Sequence, residues 1–245
     1  MSRNMPYSLT ILLIALGMLA VVTCVALDIR EEIREASKGF RDLSATVVAT
    51  YANMAELRKI GKDFARSYEF KEAKVFFKNP DKLRMTGKVG LVRVDYIVNG
   101  DMRIIRVPTL HVSKKDSFAD DPQKRQTPLD VGVLSDAIWK EYDIEFEGEK
   151  VVDGVKQYVL FLKRKGSPRT QRLWIESDTM RMLQREKYDN EGRLKSRLVY
   201  VASRKLDNVW VPGKIEAYSP SGKLAGVTEY RNVKVNTNIP DSEFK

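Results

Sequence analysis

Apolar and polar positions fall into three regimes along the chain. Residues 9–27 carry no charge and are apolar almost throughout, with Arg3 before them and Asp28 directly after. A short basic start followed by such a run reads as an export signal, and its length approaches the ~18 residues that span hydrocarbon. The next stretch has a helical period. Ile29, Ile33, Ala36 and Phe40 share one face, Asp28 and Glu31 form a variant capping box, and Gly39 lies near the end. A helix with one apolar stripe and one charged face is expected to lie on a sheet. In residues 42–56 the alternation of Ala45, Val47, Ala49 and Tyr51 favours a strand, while the alanine content leaves helix open.

From Ser67 onward the period is two. Ala73, Val75 and Phe77 alternate with Glu72, Lys74 and Phe76, and Asn79-Pro80-Asp81 then reads as a turn. Val92, Val94, Tyr96 and Val98 alternate up to Asn99-Gly100, a type I′ hairpin signal, and Met102 and Ile104 continue on the far side. Residues 112–126 are polar and aperiodic. Thr127-Pro128-Leu129-Asp130 reads as a capped helix start, with Val131, Leu134 and Ile138 as its apolar face up to Trp139. Further turns at Asp153-Gly154, Gly166-Ser167-Pro168, Ser177-Asp178, residues 189–192, Asp207-Asn208 and Pro220-Ser221-Gly222 punctuate a run of short strands. The expected class is α+β, mainly β. After a leader at residues 1–27, residues 28–245 form one domain, a curved antiparallel sheet with two helical pieces against one face.

Composition narrows the options. The chain is 43% hydrophobic and 31% charged, with a formal charge of +10. Export argues against nucleic acid as partner, so the excess charge is either the wet face of a sheet or an attraction to anionic lipid head groups. Arg181, Arg185, Lys187, Arg193, Lys195 and Arg197 sit mostly at alternate strand positions, which favours the wet face. Cys24 is the only cysteine and lies inside the leader, so the rest of the chain has no disulfide. Three fates of the leader stay open: cleavage after Ala26, retention as a membrane anchor, or lipidation of Cys24. Val21-Val22-Thr23-Cys24 resembles a lipobox, with Thr23 where a smaller residue is usual.

Catalytic chemistry has little to stand on. His111 is the only histidine and has no second ligand or nucleophile at a useful spacing. Asp116, Asp120 and Asp121 lack calcium-loop spacing, and the glycines form no phosphate-cradling run. No catalytic residue, metal site or cofactor is expected. A curved sheet under two short helices leaves either a filled core or an open, lipid-sized concavity. The residues expected to line it are Phe70, Val75, Phe77, Leu83, Met85, Tyr96, Met102, Ile104, Leu160, Leu173, Ile175, Met182, Leu198, Tyr200 and Ile215. The methionines among them suit an adaptable surface. Arg84, just after the Pro80 turn, is either a latch holding carbonyls of the covering helices or an exposed strand arginine.

Four stretches resemble the outer-membrane lipoprotein-sorting (LolA-like) proteins. They are Val75-Phe76-Phe77-Lys78-Asn79-Pro80-Asp81-Lys82-Leu83-Arg84; Arg172-Leu173-Trp174-Ile175 with Met182-Leu183-Gln184-Arg185-Glu186; Val209-Trp210-Val211-Pro212-Gly213-Lys214-Ile215; and Asn232-Val233-Lys234-Val235-Asn236-Thr237-Asn238-Ile239-Pro240-Asp241-Ser242-Glu243-Phe244. The resemblance implies a half-barrel with helices across its concave face, a periplasmic or envelope location, and an apolar concavity that holds acyl chains. It also implies that Arg84 lies near the latch. Three functions follow: binding of lipid or lipoprotein acyl chains in a carrier or sorting role, a membrane-tethered stress sensor that acts on an envelope membrane protein, or an enzyme with a small-molecule pocket.

Overall fold

The computed structural model describes residues 29–121 and 124–245, so the leader, Cys24 and Asp28 lie outside the described residues. Helix α1 spans residues 29–36. Strand β1 (Asp42–Ala52) leads into a helical hairpin, α2 (Met54–Ile60) and α3 (Lys62–Ser67). A meander follows: β2 (Phe70–Lys78), β3 (Lys82–Val89), β4 (Val92–Asn99), β5 (Met102–Val107) and β6 (Val112–Ser117). The chain then crosses back through a 3-10 turn at Pro128–Val131 and the short helix α4 (Ile138–Glu141). A second meander contains β7 (Tyr142–Val152), β8 (Val155–Arg164), β9 (Thr170–Glu176), β10 (Met182–Tyr188) and β11 (Leu194–Val201). The small ribbon β12 (Arg204–Leu206) and β13 (Val209–Val211) precedes β14 (Lys214–Tyr218) and β15 (Leu224–Val235).

Thirteen of these strands make one antiparallel sheet in the order β6-β5-β4-β3-β2-β1-β15-β14-β11-β10-β9-β8-β7. Among the described residues, the first and last strands meet at its centre, and β6 and β7 are its outermost strands. The sheet is curved but not closed. On its inner face Leu43, Phe77, Leu160, Leu173, Ile175 and Tyr200 form one buried cluster with Ile29, Ile33 and Phe40 and with Leu129, Val131, Val133 and Ile138. Two segments outside the sheet, residues 29–40 and 128–141, therefore cover the apolar side. Each fully buried Leu, Ile or Phe contributes roughly 1.5–3 kcal/mol relative to exposure.

Several sequence expectations need correction. Residues 112–126 are not wholly irregular, because β6 pairs along β5 through Val107↔Val112 to Met102↔Ser117. Its side chains are polar because an edge strand with mostly exposed faces carries no apolar alternation. The α2–α3 hairpin was not anticipated; it is capped by Asn53, whose Oδ1 accepts the Glu56 N–H at 3.3 Å. The turn after β4 has Gly100 and Asp101 as its central residues, since Asn99 pairs with Met102. Only Gly100 has positive φ (59°), so the geometry is of the II′ kind rather than I′. Asp153-Gly154 (φ 50° and 78°) and Asp207-Asn208 (φ 45° and 62°) are the turns with two positive φ values. The capping box at Thr127 and Asp130 forms, but Gly132 at φ 76° ends the helix after one turn.

The outer face carries a second, smaller core. The C-terminal segment folds back so that Ile239 and Phe244 bury Ile97, with Phe76 and Ile104 around them. Asp42, itself buried, anchors this segment. Its Oδ1 accepts the Thr237 N–H (2.8 Å) and hydroxyl (3.2 Å), and its Oδ2 accepts the N–H groups of Asn238 (2.9 Å) and Ile239 (3.3 Å). Asn236 and Asn238, at φ 57° and 60°, turn consecutive N–H groups toward one carboxylate, a backbone nest.

Candidate functional site

The inner face is the candidate site. Of the residues expected there, Val75, Phe77, Leu160, Leu173, Ile175, Met182, Leu198, Tyr200 and Ile215 belong to the main buried cluster, and Leu83 and Met85 pack against it. Tyr96 pairs with Met85 and shares that face. Phe70 lies over Gly87, where an added Cβ would come within 2.8 Å of its ring. Two residues are elsewhere. Ile104 pairs with Ile97 and packs under the C-terminal segment on the outer face, and Met102, one period away on that face, is 40% exposed. A strand alternates strictly, so Met102 and Ile104 cannot share a face with Arg103 and Ile105.

Arg84 also points outward. Its Nη1 donates to the Glu243 carboxylate (3.0 Å) and carbonyl (3.3 Å), its Nη2 to Asp95 (3.3 Å), and its Nε to Thr86 (3.2 Å). It is neither an exposed strand arginine nor a latch on the inner covers. It clamps the C-terminal turn.

The covers leave little room. Beside the end of α1, a gap of about 10 Å³ lies among Ala36, Phe40, Leu134, Met182 and Trp210. A gap of that size does not take an acyl chain, so a ligand entering there would need the covers to move. A larger cavity, about 80 Å³, opens at the rim beyond β8, β9 and β10. Its wall is polar. Arg185, 1% exposed, donates from Nη1 to Asp130 Oδ1 (3.1 Å) and from Nε to Gln171 (2.6 Å). Lys187 reaches the same Asp130 oxygen at 3.1 Å. Asp130 Oδ2 accepts the Thr127 N–H (2.9 Å) and hydroxyl (3.0 Å), so the capping box of the cover is itself part of this network. Arg164 donates to Glu141 (3.2 Å) and to the Arg125 carbonyl (3.1 Å), and Gln171 to the Tyr142 hydroxyl (3.3 Å).

Burial pushes the Asp130 carboxyl up, but Lys187 and Arg185 beside it outweigh burial and hold it well below the usual carboxylate range. Burial, then Arg185, pushes the Lys187 ammonium down against the pull of Asp130. Burial raises the Tyr200 hydroxyl to about 12.

The alternation of basic residues had suggested one wet face. Instead it splits. A register shift between Met182 and Gln184 turns Arg185 and Lys187 inward beside Leu173 and Gln171. Arg197 faces the other way, 4.7 Å above the Tyr218 ring. The bulge has no sequence signature, so the inward cluster was not legible. Among the described residues no group of three or more His, Cys, Asp and Glu side chains is placed to hold a metal ion. Nor is any helix there long and apolar enough to cross a membrane. His111 is exposed in a left-handed turn (φ 54°).

A protein-family model described only as an uncharacterized protein matches residues 130–245. An uncharacterized protein of Methanocaldococcus jannaschii is 31% identical over 117 residues, 47% of this chain and 24% of that protein. The chain thus spans about a quarter of the curated relative it matches. Among solved structures, one described as an outer membrane lipoprotein-sorting protein domain from Vibrio parahaemolyticus aligns with a TM-score of 0.58 at 14% identity, over 90% of this chain and 96% of that one. A LolA superfamily protein from Nitrosomonas europaea gives 0.57 at 17% identity, over 90% and 97%. A DUF1329 family protein from Desulfovibrio piger gives 0.55 at 19% identity, over 90% and 96%. With its open antiparallel sheet, its first and last strands joined at the centre and its helical covers on the inner face, this chain has the LolA-like fold.

Proposed function

We propose that this protein is an exported envelope protein that takes acyl chains of a lipid or lipoprotein onto the inner face of its sheet and carries or sorts them. The observation that supports this most is how the apolar face is buried. Leu43, Phe77, Leu160, Leu173 and Ile175 are covered by residues 29–40 and 128–141, which are not strands of the sheet. Moving such covers leaves the sheet itself paired and breaks a few ties: Asn79 to Phe40 and Ser135, Asp130 to Arg185 and Lys187, and the Lys165 N–H to the Glu141 carbonyl. An acyl chain that replaces Ile33, Leu129 and Ile138 exchanges one apolar contact for another at roughly 25 cal/mol per Å², so the apolar part of the exchange is nearly balanced. The similarity to proteins described as lipoprotein-sorting supports the same reading. In it the protein is not an enzyme, and its partners are lipid, membrane and acylated proteins rather than nucleic acid.

Native mass spectrometry of the full chain, purified from a bacterial envelope in mild detergent, tests the proposal. Co-purifying lipid or acylated protein is the expected result, together with uptake of a diacylated lipopeptide by delipidated protein. A ligand-free protein that also ignores the lipopeptide overturns it. Intact mass in the same experiment reads the fate of residues 9–27 and Cys24, and so separates a diffusing shuttle from a tethered receptor.

A further inference from the structure

The rim cavity carries more positive charge than its acids neutralise. Arg125 is matched by Asp101 and Arg164 by Glu141, while Arg185 and Lys187 share one oxygen of Asp130. Arg169, exposed at the cavity mouth, has no acidic partner within 4 Å among the described residues. Two cationic charges are left over around a space of about 80 Å³, enough for several waters or one tetrahedral oxyanion. A fully buried guanidinium is costly unless its charge is used, and Gln171 fixes its plane by accepting from Nε. Arginine forks and a lysine point charge are the side chains that suit phosphate oxygens.

We propose that this cavity binds a phosphate-type oxyanion, either the phosphate ester of a lipid head group or inorganic phosphate. Arg185 and Lys187 form its floor and Arg169 its gate. Asp130 occupies part of the same donor set. Since Asp130 belongs to the cover segment, an entering oxyanion competes with the carboxylate that ties residues 128–141 to β10. Only the head-group source rests on the acyl-binding reading above. The oxyanion site stands without it.

Isothermal titration of the full chain with inorganic phosphate, at constant ionic strength made up with sodium chloride, tests the site. Parallel titrations use dihexanoyl phosphatidic acid and dihexanoylglycerol, which share acyl chains and differ in the phosphate. Saturable phosphate binding is expected, weakened at least about tenfold by Lys187→Gln and by Arg169→Gln, since a hydrogen bond to a charged group is worth that much. Asp130→Asn is expected to tighten it, a sign that a purely structural network would not give. Phosphatidic acid binding well above both phosphate and diacylglycerol identifies the head group as source. Equal binding of phosphate and phosphatidic acid identifies the free ion. Absence of binding by both phosphate compounds, or binding unchanged in Lys187→Gln and Arg169→Gln, overturns the proposal. Arg169 is on the surface, so its variant keeps the test valid if others fail to fold. Diacylglycerol binding without any phosphate effect refutes this site and leaves the acyl reading standing. Phosphate binding with no lipid uptake does the reverse.

Discussion

Asp42→Asn isolates what holds the C-terminal segment to the sheet. The carboxylate accepts four hydrogen bonds, two at each oxygen. The amide keeps one acceptor oxygen, which retains the two bonds to Thr237. It replaces the other with an NH2 group that faces the N–H donors of Asn238 and Ile239, so two bonds are lost and donors oppose donors. Hydrogen bonds to a charged group contribute roughly 1.5–3 kcal/mol each, which gives a loss of about 3–6 kcal/mol. That exceeds what Ile239 and Phe244 can easily spare, and the segment should detach before the sheet melts. Hydrogen exchange resolved along the chain reads this directly: amides of residues 237–245 lose protection, while β10 and β11 keep theirs. Urea titration supplies the global cost. A midpoint change worth under about 1 kcal/mol, with protection at residues 237–239 unchanged, would refute the reasoning, because the nest would then close without its anion.

Leu129→Ala, in the cover and fully buried, should cost about 3 kcal/mol in urea unfolding and raise exposure of the inner face to an environment-sensitive dye. An unchanged midpoint would mean that the cover adds nothing to the core. In Gly226→Ala the new Cβ would meet the Tyr68 ring at 2.4 Å, so Tyr68 must leave its seat and the hydroxyl of Thr228 loses its acceptor. A cost of about 1–3 kcal/mol is expected from thermal melting. The Glu56 carboxyl is pulled down to about 2, first by Lys59 and then by Ser219, from an unfolded value of 4.5. A folded value below the unfolded one means its stabilisation is complete above pH 4.5 and fades as pH falls toward 2. Glu56→Gln should therefore flatten the melting temperature over that window, and an unaltered acid limb would refute the assignment.

The general plan was legible because it rests on period and punctuation. Alternation at Ala73, Val75 and Phe77 places a strand with one buried face, and the Asp153-Gly154 and Asp207-Asn208 turns are where two positive φ values are needed. The parts that were not legible depend on distant pairings. Arg185 reads as a surface residue until a bulge turns it inward, and Ile104 reads as inner-face until its partner Ile97 is known to lie under Phe244. Arg84 was set apart by its place after the Pro80 turn, but neither role read for it holds, because its partner, Glu243, lies at the far end of the chain. Edge strand β6 hid because a strand with little to bury has no pattern to show.

The joining of β1 to β15 has a consequence for the order of folding. Contacts within each meander are local, while the central ladder links residues near opposite ends of the described chain. Closing so long a loop costs entropy that only the completed pairing repays, and topologies with many such contacts fold slowly. Each meander can pair its own hairpins early. The seam that unites them, with Asp42 waiting for Thr237 to Ile239, forms last. A chain that emerges N-terminus first, from a ribosome or across a membrane, thus has two half-sheets without a common core until its final strand has followed.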